Sequence, residues 1–560
     1  MAQTSPASYP WCVAKTRCLL IYPKFSEFSF WNFASAYRVA GLKYQTTPLG
    51  LLTVAALLPA DWECRLVDLN VSDLSDADLE WAHLVMTGGM ITQQLETVRI
   101  IKRAQAKGKP VAVGGPDATH QPQVYQEADF IVSGEGEVSI PKFVAAWESG
   151  ARSGSFGTDG VRPDLERSPK PRFDLARVKD YLYLGVQFSR GCPNNCEFCD
   201  IIELFGREPR TKTPERLLAE FDSLYESGYR GHLDFVDDNL IGPRNAVKRL
   251  LRAIIEWSEA RGWPFYFSAQ ATLGLARDAE LLELMRRCDF RYVFIGIETP
   301  DPELLRGAGK SQNSLIPISE CVRRMNEAGI MVMGGFILGF DNERPGAAEA
   351  IASCLEESGI STAMIGLLTS LPGTQLDDRL IREGRLLVRK RGAAIRPGEF
   401  DQMTAGLNFT PLRPRQEILR EYRAMLARVY SPSEFFGRVR VFIRRYRPHT
   451  RHKPPLRLLP GMAWTMIKVF ALYLARPSAL FPFLATAAYA LLHGPRHFAI
   501  AAMTAVFYVH LRWQTRHVVE HLADQIRELE TIGEDAYIEK RGGFLYKAEP
   551  PSPDGIKSIC

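Results

Sequence analysis

Net charge is scarce in this sequence. Sixty-nine Lys and Arg against 64 Asp and Glu leave +5 over 560 residues, which gives no general case for binding nucleic acid. Long apolar runs are missing too, since none reaches the roughly 20 uninterrupted residues that a membrane-spanning helix needs. The N-terminal stretch MAQTSPASYPWCVAKTRCLLIYP has no apolar leader core, because Lys15 and Arg17 interrupt it. Nor is there a disulfide framework. Of ten cysteines, Cys12, Cys18, Cys64, Cys288, Cys321, Cys354 and Cys560 are scattered through apolar or terminal contexts, the usage of a reducing compartment. From this usage the chain is expected in the cytoplasm or on the inner face of a membrane. A hydrophobic share of 46% and a charged share of 24% exclude a disordered chain. The length exceeds what one core can serve, so about three or four domains are expected at ~150 residues each.

The other three cysteines stand together in Ser189-Arg190-Gly191-Cys192-Pro193-Asn194-Asn195-Cys196-Glu197-Phe198-Cys199-Asp200. The spacing CxxxCxxC offers three thiolates from one tight loop. Iron–sulfur clusters take thiolate ligands, and a cubane with four irons needs one on each, so three cysteines leave one iron open. A zinc knuckle or buried structural cysteines are the plainer readings. Zinc sites usually take four ligands, often as CxxC pairs, and no fourth Cys or His lies close by. The spacing, with Phe198 just before the last cysteine, resembles the cluster motif of the radical S-adenosylmethionine (SAM) enzymes. That resemblance implies that Cys192, Cys196 and Cys199 are the catalytic cysteines and hold a [4Fe-4S] cluster, whose open iron takes the amino and carboxylate groups of SAM.

Upstream, CLLIYP (18–23), ECRLVD (63–68), HLVMT (83–87), 110–113 and 130–132 are strand candidates, with helix-like segments such as 49–58 and 94–106 between them. The alternation predicts a doubly wound, Rossmann-like α/β domain over residues 15–150. Small-residue loops follow its strands at Thr87-Gly88-Gly89, Gly114-Gly115 and Gly134-Glu135. Such glycines let backbone approach a ligand at the switch point, although any Rossmann-like domain carries them. With TPLGLLTVAALLP (47–59), VGGPDAT (113–119) and VSGEGE (132–137) directly ahead of the cysteine loop, the domain resembles the cobalamin-binding domain of B12-dependent radical SAM enzymes. The resemblance implies that Thr87, Gly88, Gly89, Gly114, Gly115, Gly134 and Glu135 line a cobalamin site. The DxHxxG motif that supplies an axial histidine in other B12 proteins is absent, and neither His83 nor His120 is placed to replace it. Cobalamin is therefore expected base-off, without a histidine on cobalt. Residues 151–180, rich in Gly, Ser, Pro and charge with no apolar period, read as a linker.

From residue 181 the alternation resumes. YLGVQFS (183–189) leads into the cysteine loop, and Thr213-Pro214 opens a helix that ends near Gly228. HLDFVDD (232–238), PFYFSAQ (264–270), YVFIGIET (292–299), MVMGGFILGF (331–340) and STAMIGLL (361–368) follow as strands. They predict a partial TIM-like (β/α)6 barrel over 181–410, with chemistry at the C-terminal strand ends. SRGCPNNCEFCDIIELFGREPRTKTPE, LDFVDDNLIG and FIGIETPDPE resemble the subgroup that contains the hopanoid methylases, radical SAM methyltransferases of class B, over residues 15–410. In the family, the segment matching Asp237, Asp238 and Asn239 hydrogen-bonds the methionine amino group of SAM. Glu298 matches a ribose contact, and Gly335, Ile337 and Gly339 match the GxIxG element beside adenine. The pattern GxIxGxxE would put an acid at 342, where this chain has Asn342 followed by Glu343; Gln270 stands where relatives carry an acid.

Residues 411–560 change character and are expected to be mainly helical. A helical period over 411–429 precedes a cationic run, Arg444-Arg445-Tyr446-Arg447-Pro448-His449-Thr450-Arg451-His452-Lys453. Apolar runs follow at 461–475, 478–492 and 498–511, interrupted by Lys468, Arg476, Pro482 and the turn at 493–496. A basic run ahead of apolar helices bearing Trp and Tyr suits peripheral binding to an anionic membrane surface. A buried helical domain on the barrel and a helical hairpin through 478–511 are the other readings. His517-Val518-Val519-Glu520-His521 is not HExxH and reads as a solvated helix.

Taken together, the resemblance implies a cobalamin-dependent radical SAM methyltransferase that uses a [4Fe-4S] cluster, SAM and cobalamin. A 5'-deoxyadenosyl radical takes hydrogen from an unactivated carbon of an apolar substrate, a hopanoid or other lipid, and methylcobalamin supplies the methyl group. The implied partners are a small-molecule or lipid substrate, a reductant such as a flavodoxin or ferredoxin, and the membrane surface, with no nucleic acid. Two alternatives stay open: a B12-dependent radical SAM cyclase or rearrangement enzyme without methyl transfer, and a non-catalytic membrane-bound redox or B12-sensing protein.

Overall fold

The computed structural model describes residues 15–26, 29, 32–388, 403–454, 459–540 and 544–545; Cys12 and Cys560, two of the scattered cysteines, lie outside them. Strand β1 (Arg17–Tyr22) is the apolar run RCLLIY, with residues 18–21 buried on both faces as a central parallel strand requires. Helix α1 (Ala34–Val39) and strand β2 (Tyr44–Thr46) come next. Then follow α2 (Leu49–Leu57), β3 (Glu63–Asp68), α3 (Asp76–Trp81), β4 (Leu84–Gly88), α4 (Gln94–Ala106) and β5 (Val111–Gly114). The short α5 (Gly115–His120), β6 (Phe130–Val132), α6 (Gly136–Glu148) and β7 (Gly154–Phe156) complete this part.

The chain divides into two units, residues 15–25 with 47–180, and 26–46 with everything from 181 onward. In the first, six parallel strands run in the order β3-β1-β4-β5-β6-β7. Alternate residues of each strand serve opposite layers. Leu19 and Ile21 pack with Val85, Val113 and Ile100 of α4, while Cys18 and Leu20 pack with Met86, Ala112 and Phe143 of α6. The order reverses beside β1, which makes the carboxyl ends of β1 and β4 the switch point where such sheets take ligands. Residues 151–180, expected as a linker, instead belong to this unit. Strand β7 adds to the sheet edge, Leu165 and Phe173 are buried, and Arg172 N donates to Leu52 O at 3.0 Å. A few apolar anchors without a period suffice to hold a segment that composition alone marks as loose.

The second unit continues with β8 (Tyr181–Val186), β9 (Ser189–Arg190), α7 (Ile201–Phe205), β10 (Arg210–Thr211) and α8 (Pro214–Glu226). Thr213 Oγ1 accepts the Arg216 N–H at 3.3 Å, capping α8 ahead of Pro214. Next are β11 (Gly231–Phe235), α9 (Arg244–Ala260), β12 (Phe265–Ala271), α10 (Ala279–Arg287), β13 (Phe290–Glu298), α11 (Pro302–Gly307) and α12 (Ile318–Glu327). Strands β14 (Met331–Leu338) and β15 (Ala363–Leu367) flank α13 (Ala347–Ser358), and α14 (Gln375–Arg382) follows. Seven parallel strands, ordered β15-β14-β13-β12-β11-β8-β2, form a curled half-barrel. Six are the expected barrel strands. The seventh, β2, comes from residues 26–46, which the 15–150 reading placed upstream; Tyr-Gln-Thr carries too little pattern to be read as a strand until it pairs with β8.

Leu233, Phe235, Phe265 and Phe267 face outward, where Phe221 of α8 stacks on Phe267 (5.6 Å) and Trp257 of α9 on Phe265 (5.5 Å). The alternate residues face the hollow and are only part-buried, among them His232, Tyr266, Phe294, Met333, Ile337 and Met364.

Helices α15 (Arg415–Val429), α16 (Pro432–Arg445), α17 (Leu459–Leu474), α18 (Pro477–His493) and α19 (Pro495–Lys540) complete the unit, α19 being broken at Gly533. The Tyr422 hydroxyl donates to Ile365 O (2.7 Å), and Phe436 is wrapped by Tyr473, Phe483 and Tyr508. Part of the cationic run is used for packing, while Arg444, Arg447 and Lys453 are exposed. Arg445 donates to Glu357 O and Ser358 O (2.9 and 3.0 Å), and the N–H groups of Arg451 and His452 donate to Asp289 Oδ2 (3.1 and 2.7 Å). Among the described residues, no helix is long and apolar enough to cross a membrane.

Candidate active site

The cysteine loop leaves β8 and is closed at its neck by β9 and β10, with Ser189 opposite Thr211 and Arg190 opposite Arg210. Cys192 N donates to Gly206 O (3.2 Å) and Cys199 N to Cys196 O (3.1 Å), which curls the three cysteines onto one loop. The turn at 308–310 lies against it. A Cβ on Gly309 would come 2.1 Å from Asn195 O, so only glycine permits this approach, and Glu197 N donates to Ala308 O at 3.2 Å. Arg379 of α14 grips the Glu197 carboxylate with two contacts of 3.1 Å and reaches Asp341 at 2.6 Å.

Burial pushes the Cys196 and Cys199 thiols up from their ordinary range. Since thiolate is the ligating form, metal binding here releases protons. Cys192 Sγ accepts from Asn194 Nδ2 (3.5 Å) and Asn239 Nδ2 (3.8 Å), donors of the kind that tune a cluster thiolate. Among the described residues, no group of three His, Cys, Asp or Glu side chains is arranged around one metal ion. A cubane puts each thiolate on a different iron, so a three-cysteine loop with amide donors fits a cluster better than a single ion.

The segment after β11 meets this loop. Asp237 is fully buried; its Oδ2 accepts from Phe188 N (3.0 Å) and its Oδ1 from both N and Oγ of Ser189 (2.5 Å each). Burial nevertheless raises its carboxyl to about 6. With both oxygens engaged, Asp237 is placed to brace the loop entry, which differs from the SAM contact that the motif implies for it. Asp238 accepts from Gly191 N (3.1 Å), and burial raises it to about 7. Asn239 Oδ1 is buried with no protein partner, beside the nitrogen that reaches Cys192. An orphaned acceptor at this position fits a cationic donor such as the amino group of SAM.

Glu298 ends β13 in the left-handed region (φ 67°), at a break in register between Gly296 and Glu298. A non-glycine residue there stores strain of order 1–3 kcal/mol, a frequent mark of a working site. Its Oε1 pairs with Lys310 Nζ, both side chains being about nine-tenths buried. Burial alone would lower Lys310, but the Glu298 carboxylate and the nearby Cys196 and Cys199 hold it above its ordinary value. Sequence reasoning missed Lys310, Arg379 and Asn313, whose Nδ2 donates to Gly296 O at 2.8 Å. Nothing in their spacing announces them; only the fold brings them to the strand ends.

Gly335 and Ile337 lie on β14, and Gly339 follows it. Gly339 N donates to both oxygens of Glu343 (3.1 and 3.0 Å), with Arg413 3.5 Å away. The displaced acid therefore closes the GxIxG turn by itself, and burial raises it to about 7. Gln270, near the end of β12, is part-buried, and its carbonyl accepts from Leu240 N at 3.0 Å.

In the first unit, Thr87 Oγ1 donates to Ile21 O (2.8 Å) across the switch point. Gly88 ends β4 beside Gly114 of β5, where a Cβ would sit 2.2 Å from Gly114 O. Gly89 continues that loop, Gly115 opens α5, Gly134 N donates to Thr119 Oγ1 (2.8 Å), and Glu135 is buried 3.8 Å from Arg162. Asp117 braces the second loop by accepting from Gln94, Gln121 and Tyr125. Two polar atoms of the segments after β4 and β5, Thr92 Oγ1 and His120 Nε2 at the end of α5, are buried without protein partners. Such orphans beside glycine turns fit a large amide-bearing cofactor.

Comparison with known proteins bears on this arrangement. Family models match as a B12 binding domain over 37–144, the radical SAM superfamily over 186–355 and a domain of unknown function, DUF4070, over 374–524. A hopanoid C-2 methylase of Rhodopseudomonas palustris is 36% identical over 450 residues, covering 80% of this chain and 81% of its own. The chain belongs to the cobalamin-dependent radical SAM methyltransferase family. An uncharacterized methyltransferase of Synechocystis sp. is 44% identical over 424 residues, 75% of this chain and 77% of its own. The fold is shared with the radical SAM methyltransferase TsrM from Kitasatospora setae, solved with cobalamin and a [4Fe-4S] cluster (TM-score 0.54, 17% identity, 74% of this chain and 91% of that one). As a member of this family the chain is a radical SAM enzyme whose cofactors are a [4Fe-4S] cluster, SAM and cobalamin.

Proposed function

We propose that this enzyme methylates an unactivated carbon of an apolar substrate, a hopanoid or another lipid, drawn from the inner face of a membrane. The observation that carries the reading is the wall of the half-barrel. On the β13–β15 side, below the polar strand ends, the residues facing the hollow are Phe294, Met333, Ile337 and Met364, part-exposed and apolar, while β11 and β12 turn His232, Asp234, Tyr266 and Ser268 to it. The apolar side offers a hydrocarbon dispersion contacts, and the polar groups opposite it are bonded to one another, His232 to Ser268 and Ser268 to Asp234. The hopanoid C-2 methylase relative supports the same class.

When bound, the cofactors supply a 5'-deoxyadenosyl radical and a methyl group. The chain's own residues do the holding. We assign the cluster to Cys192, Cys196 and Cys199, the amino end of SAM to Asp238 and Asn239, its ribose side to Glu298 with Lys310 beside it, and its adenine to the Gly335–Ile337–Gly339 turn. Thr87, Gly88, Gly89, Gly114, Gly115, Gly134 and Glu135 are assigned to cobalamin. Asp237 and Glu343 keep two of these loops in shape, and the buried outer faces of the strands leave the hollow as the place where a radical is kept from solvent.

The test has two arms. Lipid extracts of cells with and without the protein are compared for an added methyl on a terpenoid or acyl chain, and an unchanged profile refutes a lipid substrate. The reconstituted enzyme, supplied with lipid extract and a strong reductant, should release S-adenosylhomocysteine together with 5'-deoxyadenosine. Release of 5'-deoxyadenosine alone would instead indicate cyclisation or rearrangement.

A further inference from the structure

Helices α17 and α18 are apolar on both of their faces, yet only one face of each is covered. The covered sides, Val469 and Tyr473 on α17 and Ala479, Phe483, Ala487 and Ala490 on α18, are buried, with Tyr473 and Phe483 packed around Phe436. The opposite sides carry Trp464, Ile467 and Leu474 on α17, and Phe481, Leu484 and Leu492 on α18, all exposed. Phe481 is 70% exposed and Leu492 86%, values far from those of a core helix. The spacing 464, 467, 474 on one helix and 481, 484, 492 on the next forms a stripe on each at helical period. Scattered apolar residues on a surface need no explanation, but two adjacent stripes do.

Charge says what covers them. Between residues 435 and 519 there is no Asp or Glu, against 13 Lys and Arg. Some of these cations turn inward, as Arg438 and Arg445 do, but Arg476 between α17 and α18 and Arg496 just after α18 are exposed at the two ends of the α18 stripe. Neither helix is long and apolar enough to cross a bilayer. We propose that the exposed faces of α17 and α18 form an in-plane docking surface for an anionic lipid bilayer, with the apolar stripes entering the acyl boundary and Arg476 and Arg496 at the headgroups. A second copy of this chain is the poorer occupant, because a two-fold contact through the same patch sets arginines against arginines with no acid in the segment to neutralise them. The surface deepens the proposed function by naming where the membrane is met. It rests on that reading only for its purpose, since vesicle binding and methyl transfer are measured separately.

The full-length protein is sedimented with sucrose-loaded vesicles of phosphatidylcholine alone or mixed with phosphatidylglycerol. Binding should favour the anionic vesicles and weaken with salt. Phe481→Ser with Leu492→Ser should reduce partitioning by about tenfold or more. Arg476→Gln with Arg496→Gln should cost roughly 25-fold on anionic vesicles, about fivefold per cation, and little on neutral ones. Trp464 emission should be quenched by brominated acyl chains, read as the quenching lost in Trp464→Phe. Circular dichroism checks that each variant is folded, and if Phe481→Ser/Leu492→Ser is not, the arginine pair and the Trp464 readout decide. Equal binding to neutral and anionic vesicles, no loss in either folded double variant, or a dimer in light scattering that the serine pair dissolves would each overturn the proposal. Anionic vesicle binding with no lipid methylated would leave the surface standing and refute the lipid substrate alone.

Discussion

Replacing Asp237 separates a brace from a cofactor contact. In Asp237→Ala, three donors lose their acceptor at once: Phe188 N–H, Ser189 N–H and the Ser189 hydroxyl, bonded at 3.0, 2.5 and 2.5 Å. A buried donor left unsatisfied costs about 1–3 kcal/mol. The hydroxyl can rotate toward another acceptor, so the two amides set the loss at roughly 2–6 kcal/mol. Against this stands relief from burying a carboxylate, which raises the group to about 6. A net loss of ~3 kcal/mol follows, a large part of the 5–15 kcal/mol that stabilises a typical domain. Asp237→Asn keeps one acceptor and should lose about half as much. The assay pairs urea unfolding of the apoprotein with iron per chain after anaerobic reconstitution, followed by KM for SAM in the loaded fraction. A brace lowers the urea midpoint and the iron content and leaves that KM unchanged. An unaltered midpoint and full iron loading with a raised KM would refute the reasoning and return Asp237 to the SAM pocket.

Three further outcomes are expected. Cys196→Ala should abolish cluster absorbance and SAM cleavage under dithionite; retained cleavage would remove the cysteine loop from the cluster assignment. Lys310→Met leaves Glu298 charged and unpaired in a buried site and should cost about 3–5 kcal/mol by urea titration, whereas adding Glu298→Gln should recover much of it. If the double variant is no more stable than the single one, the pair is not a unit. Glu343 has a carboxyl raised to about 7 by burial, so the folded chain holds its proton more tightly than the unfolded one. Its contribution is fully present below about pH 4.5 and is lost as pH rises through 7, on the order of 3 kcal/mol. Glu343→Gln should therefore match the parent near pH 4.5 and exceed it in stability at pH 8, and a gap that widens toward acid would contradict the assignment.

Much of this was legible in the sequence because parallel strands with helices on one face and a second layer or an apolar hollow on the other are near-continuous apolar runs. CLLIYP, MVMGGFILGF and STAMIGLL needed no context to be read, and Thr213-Pro214 marked the start of α8. The cysteine loop was legible because its chemistry needs fixed residue types at fixed spacing. What escaped was set by tertiary partners. The strand Tyr44–Thr46 exists only because β8 pairs with it, and residues 151–180 were hidden by a composition that conceals their anchors Leu165 and Phe173. Lys310 has no local signal, since a lysine after Gly-Ala-Gly is ordinarily solvated, and here burial beside Glu298 gives it meaning. The cationic run 444–453 is divided: Arg444, Arg447 and Lys453 are exposed as dense charge reads, while Arg445 turns onto the carbonyls of Glu357 and Ser358 and the main chain at Arg451 bonds to Asp289, which only the fold reveals.

The placement of β2 has a consequence for synthesis and for engineering. Tyr44 pairs with Tyr181, so a strand made near the start of translation stays unmatched until almost 140 further residues have emerged. During that interval the first unit can assemble, carrying residues 26–46 as an unpaired excursion. The two units are consequently discontinuous in sequence, and no single cut separates them. A fragment beginning at 181 would expose the flank of β8 as a raw edge, ready to recruit a strand from another molecule. Isolating the half-barrel would require 26–46 to be supplied on the same chain, by circular permutation or as a grafted strand.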